Sequence, residues 1–314
     1  GPLSGPIIYS EDYSAAPSDV GIGGAEYGTK NENNSIGLNV EWTVNDQLVL
    51  EFDMHNSQAE SGAANPWGSN ATVGTAGFYR GLTSVDWSQD LPVLDMGLVG
   101  FSSLEPSQHL ITGSSFRNGL TDAEITQARL GGSFEFTEDY SLDFGVMSTE
   151  VSNRTAFATV QNDTWGGAGS PADFDDSLFW IDSKSPASYF SSSPGHDNPD
   201  FFPELMRFDF AGVVGNADAA GLGNFGRSDD FTTDRRTKED SFSAYVQFNA
   251  FFDVADRPAQ LAAGLRYEQT DVTSSALVPI PTGVTWTGDN EFSVNLGEGG
   301  FTTLEGDYDY LLPS

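Results

Sequence analysis

The chain has 314 residues, no cysteine, and 13 Lys and Arg against 46 Asp and Glu, which gives a formal net charge of −33. This charge repels phosphate backbones and anionic lipid surfaces, so nucleic acid is excluded as a partner. The absence of cysteine excludes disulfide scaffolds, zinc knuckles and thiol catalysis. An aromatic content of 12% argues against acidic disorder, and no apolar run is long enough for a membrane-spanning helix.

The first predicted element is a β-hairpin over residues 35–57. It follows residues 1–34, which we interpret as an incomplete extracellular loop. The start, Gly1–Ser4, has no signal-peptide pattern, so we expect an internal piece of a longer chain or a protease scar. Apolar and polar residues alternate over Ser35–Thr43 and again over Leu48–Asn56, around a short turn. Alternation with period two predicts strands with one apolar and one polar face.

Two further hairpins follow, each after a very long connection. Residues 58–123 are predicted to be an extracellular loop, and residues 124–150 a hairpin with strands Glu124–Phe136 and Tyr140–Glu150. Residues 151–240 form the next predicted extracellular loop. The third hairpin covers residues 241–270, with a turn at Asp253–Pro258, and residues 271–314 are interpreted as a loop and the start of the next strand.

Alternating short turns and long connections predict the fold class. Compact soluble domains rarely contain structureless loops of this length, whereas transmembrane β-barrels have short periplasmic turns and long extracellular loops. Trp42, Phe136, Tyr140 and Phe252 lie beside the short turns, as an interfacial aromatic girdle would. The prediction is an all-β, antiparallel transmembrane β-barrel segment of about six strands. A soluble β-sandwich, with the oily faces paired as its core, is the alternative.

Four segments resemble strands of TonB-dependent outer-membrane receptors, and the resemblance is nearest to the proteobacterial subgroup of that family. They are the hairpin LNVEW–LVLEFD over Leu38–Asp53, TQARLGGSFEF over Thr126–Phe136, AAGLRYEQT over Ala262–Thr270 and GDYDYLLPS over Gly306–Ser314. The resemblance covers most of residues 35–314, in the order the family has them. The family's plug domain, TonB box and C-terminal strand have no counterpart, so the resemblance implies an internal barrel fragment.

The resemblance also implies a function, a location and partners. The parent protein would be an active transporter in the outer membrane of a Gram-negative bacterium. It would take up a scarce nutrient, such as an oligosaccharide, with energy from the TonB system acting on the plug. Its partners would be outer-membrane lipid, that system and the nutrient, and no enzyme activity is expected. The alternatives are a soluble or surface-exposed β-rich carbohydrate-binding or adhesive module, and a passive porin.

Five tryptophans in the predicted loops are the candidate ligand-binding residues. Flat exposed rings beside Asp, Asn and Gly can stack on a sugar, whereas the alternative is that the rings pack the loops together. Four charged residues on the polar faces of the strands are predicted to line the lumen, where charge networks are also common for structural reasons. The tryptophans are Trp67, Trp87, Trp165, Trp180 and Trp286; the charged residues are Arg129, Glu135, Arg266 and Glu268.

Other motifs give weaker signals. The glycines at 221, 223 and 226 match a dinucleotide-binding pattern, but no strand precedes them and no helix follows in the predicted organisation. The three histidines, at 55, 109 and 196, have no spacing typical of a zinc site, and no catalytic residue or cofactor is predicted. Acidic clusters such as Asp173–Asp176 and Asp197–Asp200 leave Ca²⁺ binding open, with a solvated acidic surface as the alternative.

Overall fold

A computed structural model describes residues 7–288 and 291–313 and confirms an all-β, antiparallel fold. The expectation for Gly1–Ser4, and the last residue, Ser314, lie outside the described residues. The strands are β1 (Ile8–Asp12), β2 (Ser18–Tyr27), β3 (Thr29–Asn45), β4 (Leu48–Ala63), β5 (Asn70–Asp86), β6 (Val93–Leu98), β7 (Leu110–Thr137), β8 (Tyr140–Asp163), β9 (Phe179–Ile181), β10 (Met206–Phe208), β11 (Thr233–Val254), β12 (Arg257–Val278), β13 (Pro281–Gly288), β14 (Glu291–Leu296) and β15 (Gly300–Pro313).

The helical elements are short. In the described ranges there is one α-helix, α1, over Phe210–Ala219, and the 3₁₀ helices are Pro106–Gln108, Pro171–Asp173, Asp176–Leu178 and Pro186–Phe190. Among the described residues, no helix is long and apolar enough to span a membrane.

The chain forms two compact units. The first unit comprises Gly1–Gly28, Asn65–Arg117 and Thr159–Ser228, and the second comprises Thr29–Ala64, Asn118–Ala158 and Asp229–Ser314. β7 and β8 contribute residues to both.

The second unit contains all six predicted strands. They appear as β3, β4, β7, β8, β11 and β12, and β15 pairs with β12 at the end of the order. Each observed strand is longer than predicted; β11, for example, begins at Thr233 rather than Ser241. Among the described strands the order from β3 to β15 has two unpaired ends, and no closed barrel is formed.

The third hairpin turn is tighter than the six residues predicted. Asp253 pairs with Pro258 and Val254 with Arg257, which leaves only Ala255 and Asp256 in the turn. Both have positive φ, 53° and 61°. Two consecutive positive φ angles define the two-residue turn whose twist matches that of antiparallel strands.

The predicted count of about six strands was too small, because the connections are not structureless. Within residues 58–123 lie β5, β6 and the first part of β7, and within residues 151–240 lie β9, β10 and α1. β5 escaped prediction because small residues, including Ala71 and Thr75, are buried on it alongside Val73 and Tyr79, so large apolar side chains do not alternate regularly along it. Helix α1 escaped prediction because Gly212 and Gly215 weaken its helical propensity.

The first unit has an ordinary hydrophobic core. Asp209 caps α1 by accepting a hydrogen bond from the backbone of Gly212. The buried residues of α1 are Phe210, Val213, Val214 and Ala217, whose spacing places them on one face. They pack with buried side chains of β5, β7 and β10, including Phe116 and Met206.

Candidate functional site: the polar face of the second unit

Burial in the second unit is inverted relative to a soluble sheet. On β11 and β12, Phe242, Val246 and Leu265 are 47%, 43% and 50% exposed. Among the intervening residues, Ser243 is 6% and Asn249 9% exposed, while Tyr245 and Gln247 are partly buried. Because successive side chains point to opposite faces, this sheet has an exposed apolar face and a more protected polar face.

The apolar face extends across six strands. Residues directly opposite in an antiparallel pair share a face, and Val246 lies opposite Phe144 of β8 and Leu265 of β12. Soluble proteins rarely expose an apolar patch of this extent without a partner or a membrane. We call this set the apolar face: Ile36, Leu38, Val40, Trp42, Phe52, Met54, Leu130, Phe136, Tyr140, Val146, Phe242, Val246, Phe248, Phe252, Leu261, Leu265 and Tyr267.

The polar face contains a recess of about 300 Å³. Glu51, Arg129, Asp143, Tyr245 and Gln247 line it, and we call it the polar recess. A carboxylate oxygen of Glu51 lies 3.8 Å from the guanidinium of Arg129. Arg129 also donates a 3.5 Å hydrogen bond to the hydroxyl of Tyr245.

A glycine allows Tyr245 to occupy this position. Tyr245 pairs with Gly145 on the neighbouring strand β8. A Cβ at position 145 would lie only 2.7 Å from Cε1 of the tyrosine ring and 3.0 Å from the carbonyl oxygen of Leu130. The missing side chain therefore lets the ring approach the backbone of β8, and the hydroxyl group reaches Arg129 on β7.

Asn249 organises a second set of polar contacts on the same face. Its side-chain amide donates to Asp143 at 2.7 Å, and its carbonyl oxygen accepts from Gln247 at 2.9 Å. Asp143 and Gln247 both line the polar recess. Oriented hydroxyl, amide and carboxylate groups of this kind suit a ligand rich in hydroxyl groups.

Three of the four predicted lumen-lining residues lie close together. Arg129 and Arg266 line one cavity of about 550 Å³, and Arg266 forms an ion pair with Glu268 at 2.6 Å. Glu135 is exposed near the short turn and lines none of the cavities described here. Asn249 was placed on the polar face from the alternation of β11, but Tyr245 was not identified, although it lies on the same face by the same alternation.

The five candidate tryptophans do not form one site. Trp67 packs against Phe210 of α1, with ring centroids 5.3 Å apart, so its contacts are those of core packing. Trp87, Trp165, Trp180 and Trp286 are exposed. No ring contact in the described part of the chain joins two of these tryptophans, and ligand binding by the exposed four stays a prediction.

The first unit also contains a cavity that sequence reasoning missed. It has a volume of about 370 Å³ and is lined by Phe190, Phe201 and Phe202, with Glu204 in its wall. The available signal was the Phe201–Phe202 pair within a segment rich in Asp, Pro and Ser.

His109 is the most strongly perturbed titratable group of the first unit. Burial lowers the pKa of its imidazole to about 4. Tyr79 Oη accepts a hydrogen bond from the backbone N–H of Glu105 and lies 3.1 Å from Nε2 of His109. Nδ1 of the ring is buried without a partner among the described residues, which disfavours the charged form further.

No group of three or more His, Asp or Glu side chains in the described ranges could hold a metal ion. Comparisons with protein-family models, curated proteins and solved structures found no match to this chain.

Proposed function

We propose that the second unit is part of the wall of a membrane-spanning β-barrel. The observation that carries the proposal is the exposed apolar face backed by a protected polar face. In a soluble sandwich the apolar face would be buried as a core, whereas in a barrel wall it contacts lipid while polar residues line the interior.

The dimensions of the apolar face support this assignment. Ten residue steps separate Phe242 from Phe252 on β11. At about 3.3 Å per residue the stripe is about 33 Å long. A strand tilted by about 40° projects that length to about 25 Å, the height of the apolar band of an outer-membrane barrel. Trp42, Phe136 and Tyr140 lie at its short-turn border, where aromatic girdles occur.

We further propose that the chain belongs to an outer-membrane active transporter of the TonB-dependent type. The sequence resemblance supports the class, and the polar recess supports a hydroxyl-rich nutrient, such as an oligosaccharide, moving past the polar face. Glu51, Arg129 and Tyr245 would offer it hydrogen bonds, since each carries a polar group in the recess.

Fluorescence quenching tests the membrane assignment. The chain is reconstituted into vesicles containing brominated lipid, which quenches tryptophans that touch the hydrocarbon. Trp42 lies on the apolar face, whereas Trp165 is exposed in the first unit. Trp42→Phe should remove the quenched component of the emission, and the matched Trp165→Phe variant should retain it.

Two outcomes would contradict the proposal. One is equal quenching of the two variants. The other is a monodisperse chain that unfolds cooperatively in buffer without lipid or detergent, which is the behaviour of the soluble binding module.

A further inference from the structure

The apolar cavity of the first unit has the form of a ligand site. Its walls come from three segments: Leu91 just before β6 with Leu94 inside it, Phe190 at the end of a 3₁₀ helix, and Phe201 with Phe202 before β10. At about 370 Å³ its size is within the range of small-molecule pockets. Leu94 and Phe190 remain exposed, so a ligand entering the cavity would bury apolar surface.

One charged group lies in this apolar wall. Glu204 is the only ionisable side chain among the described residues that line the cavity. Its Oε2 accepts a 2.6 Å hydrogen bond from the backbone N–H of Leu104, which fixes the carboxylate. Oε1 has no hydrogen-bond partner or ion pair within the described part of the chain, so one acceptor remains available.

We propose that this cavity binds a small primary amine with an aromatic or aliphatic body. The apolar part would pack against the phenylalanine side chains, and the ammonium would donate to Oε1 of Glu204. Rings beside a cation add a favourable electrostatic contact. The net charge of −33 also raises the local concentration of cations over anions.

The lining argues against a sugar at this place. A sugar needs several hydrogen-bonding groups, and here one carboxylate faces a wall of Leu, Pro, Ala and Phe side chains. The inference goes beyond the proposed function and does not rest on it, because every lining residue belongs to the first unit.

Calorimetric titration of the whole chain tests the proposal. The chain is placed in lipid nanodiscs, with empty nanodiscs as the blank, and titrated with 2-phenylethylammonium, 2-phenylethanol and phenylacetate. If the chain proves soluble without lipid, the same titrations are made in buffer, so failure of the membrane assignment leaves this test intact. We expect the amine to bind about tenfold or more tightly than the alcohol, because the alcohol cannot form the charge-assisted hydrogen bond between the ammonium and Glu204.

Three variants assign the site. Glu204→Gln keeps an acceptor for the Leu104 N–H and should reduce the affinity for the amine to that for the alcohol. Glu26 lines another cavity of the first unit, and the matched control Glu26→Gln should leave the affinity for the amine unchanged. Ala187→Phe fills the cavity and should abolish binding of the amine and the alcohol. Three results would overturn the proposal. They are equal affinities for the amine and the alcohol, an affinity for the amine that Glu204→Gln leaves unchanged, and no binding of the amine.

Discussion

In the proposed barrel wall, an arginine on the apolar face should destabilise the fold in the membrane, whereas an arginine one residue further along should be tolerated. Val246 lies four residue steps from Phe242 and six from Phe252, close to the middle of the apolar stripe. An arginine at the bilayer midplane costs about 2–4 kcal/mol in a transmembrane barrel. We therefore expect Val246→Arg to lower the free energy of unfolding in vesicles by about that amount.

The matched variant is Gln247→Arg. Gln247 is on the opposite face and lines the polar recess with Glu51 and Asp143, whose carboxylates can receive a guanidinium. This change should alter the free energy of unfolding by less than about 1 kcal/mol, because the charge remains in a polar environment. The two variants introduce the same residue at neighbouring positions, so they differ mainly in the face on which the arginine is placed.

A third variant tests how the cost of an arginine depends on its position along the apolar stripe. Phe252→Arg places the charge beside the short turn, at the edge of the apolar stripe. There the cost of an arginine falls to about 0–1 kcal/mol. Loss of the phenylalanine ring lowers the free energy of unfolding further. Urea titration of the vesicle-bound chain, followed by the far-ultraviolet β-sheet signal, measures all three. Equal destabilisation by Val246→Arg and Gln247→Arg would refute the assignment of the two faces.

Three further changes probe local features. Neutral His109 contributes stability above the ordinary histidine pKa of about 6.5, because its folded pKa is lowered to about 4. As the pH falls from about 6.5 to about 4, the free energy of unfolding of the first unit should fall by on the order of 3 kcal/mol. An equal pH dependence of the urea midpoint in the parent chain and in His109→Asn would contradict this. Ala255→Gly should raise the unfolding free energy by about 0.5–1 kcal/mol in urea, since glycine tolerates the positive φ. Gly145→Ala should displace Tyr245 and cost about 1–3 kcal/mol, whereas Gly306→Ala, with open space at its Cβ, should cost less; equal urea midpoints would contradict the close packing.

The alternation of side chains predicted only the parts of the strands that carry large apolar residues. β11 was predicted from Ser241, where the apolar alternation begins, but it starts at Thr233. The preceding residues include Asp234, Arg236 and Lys238, which alternate without an apolar face. The extension pairs with β8 and β12 through its backbone, and its charged side chains form surface ion pairs such as Lys238 with Glu150 at 3.1 Å. A hydrophobic pattern cannot reveal a strand segment whose side chains are mostly charged.

The first unit escaped prediction for a different reason. Strand β5 buries several small residues and the helix contains two glycines, so neither gives a strong periodic signal. Its apolar cavity combines residues from three segments far apart in the sequence, and only the fold brings Leu94 near Phe202. The polar recess was partly predictable: Arg129 was identified from its strand face, but the contact with Tyr245 depends on the register and on Gly145.

Charged residues are distributed unequally between the two faces of the second unit. Charged residues make up 19% of the chain, and yet the apolar face contains none over six strands. A solvated surface has no reason to exclude charge so completely, since exposed charges improve solubility. Charges instead appear on the polar face, as Glu51 and Arg129 do, and above the apolar stripe, as Asp234 and Arg236 do. Exclusion of charge from the exposed face, together with burial of serine and asparagine on the other, is the pattern expected when the outer solvent is hydrocarbon.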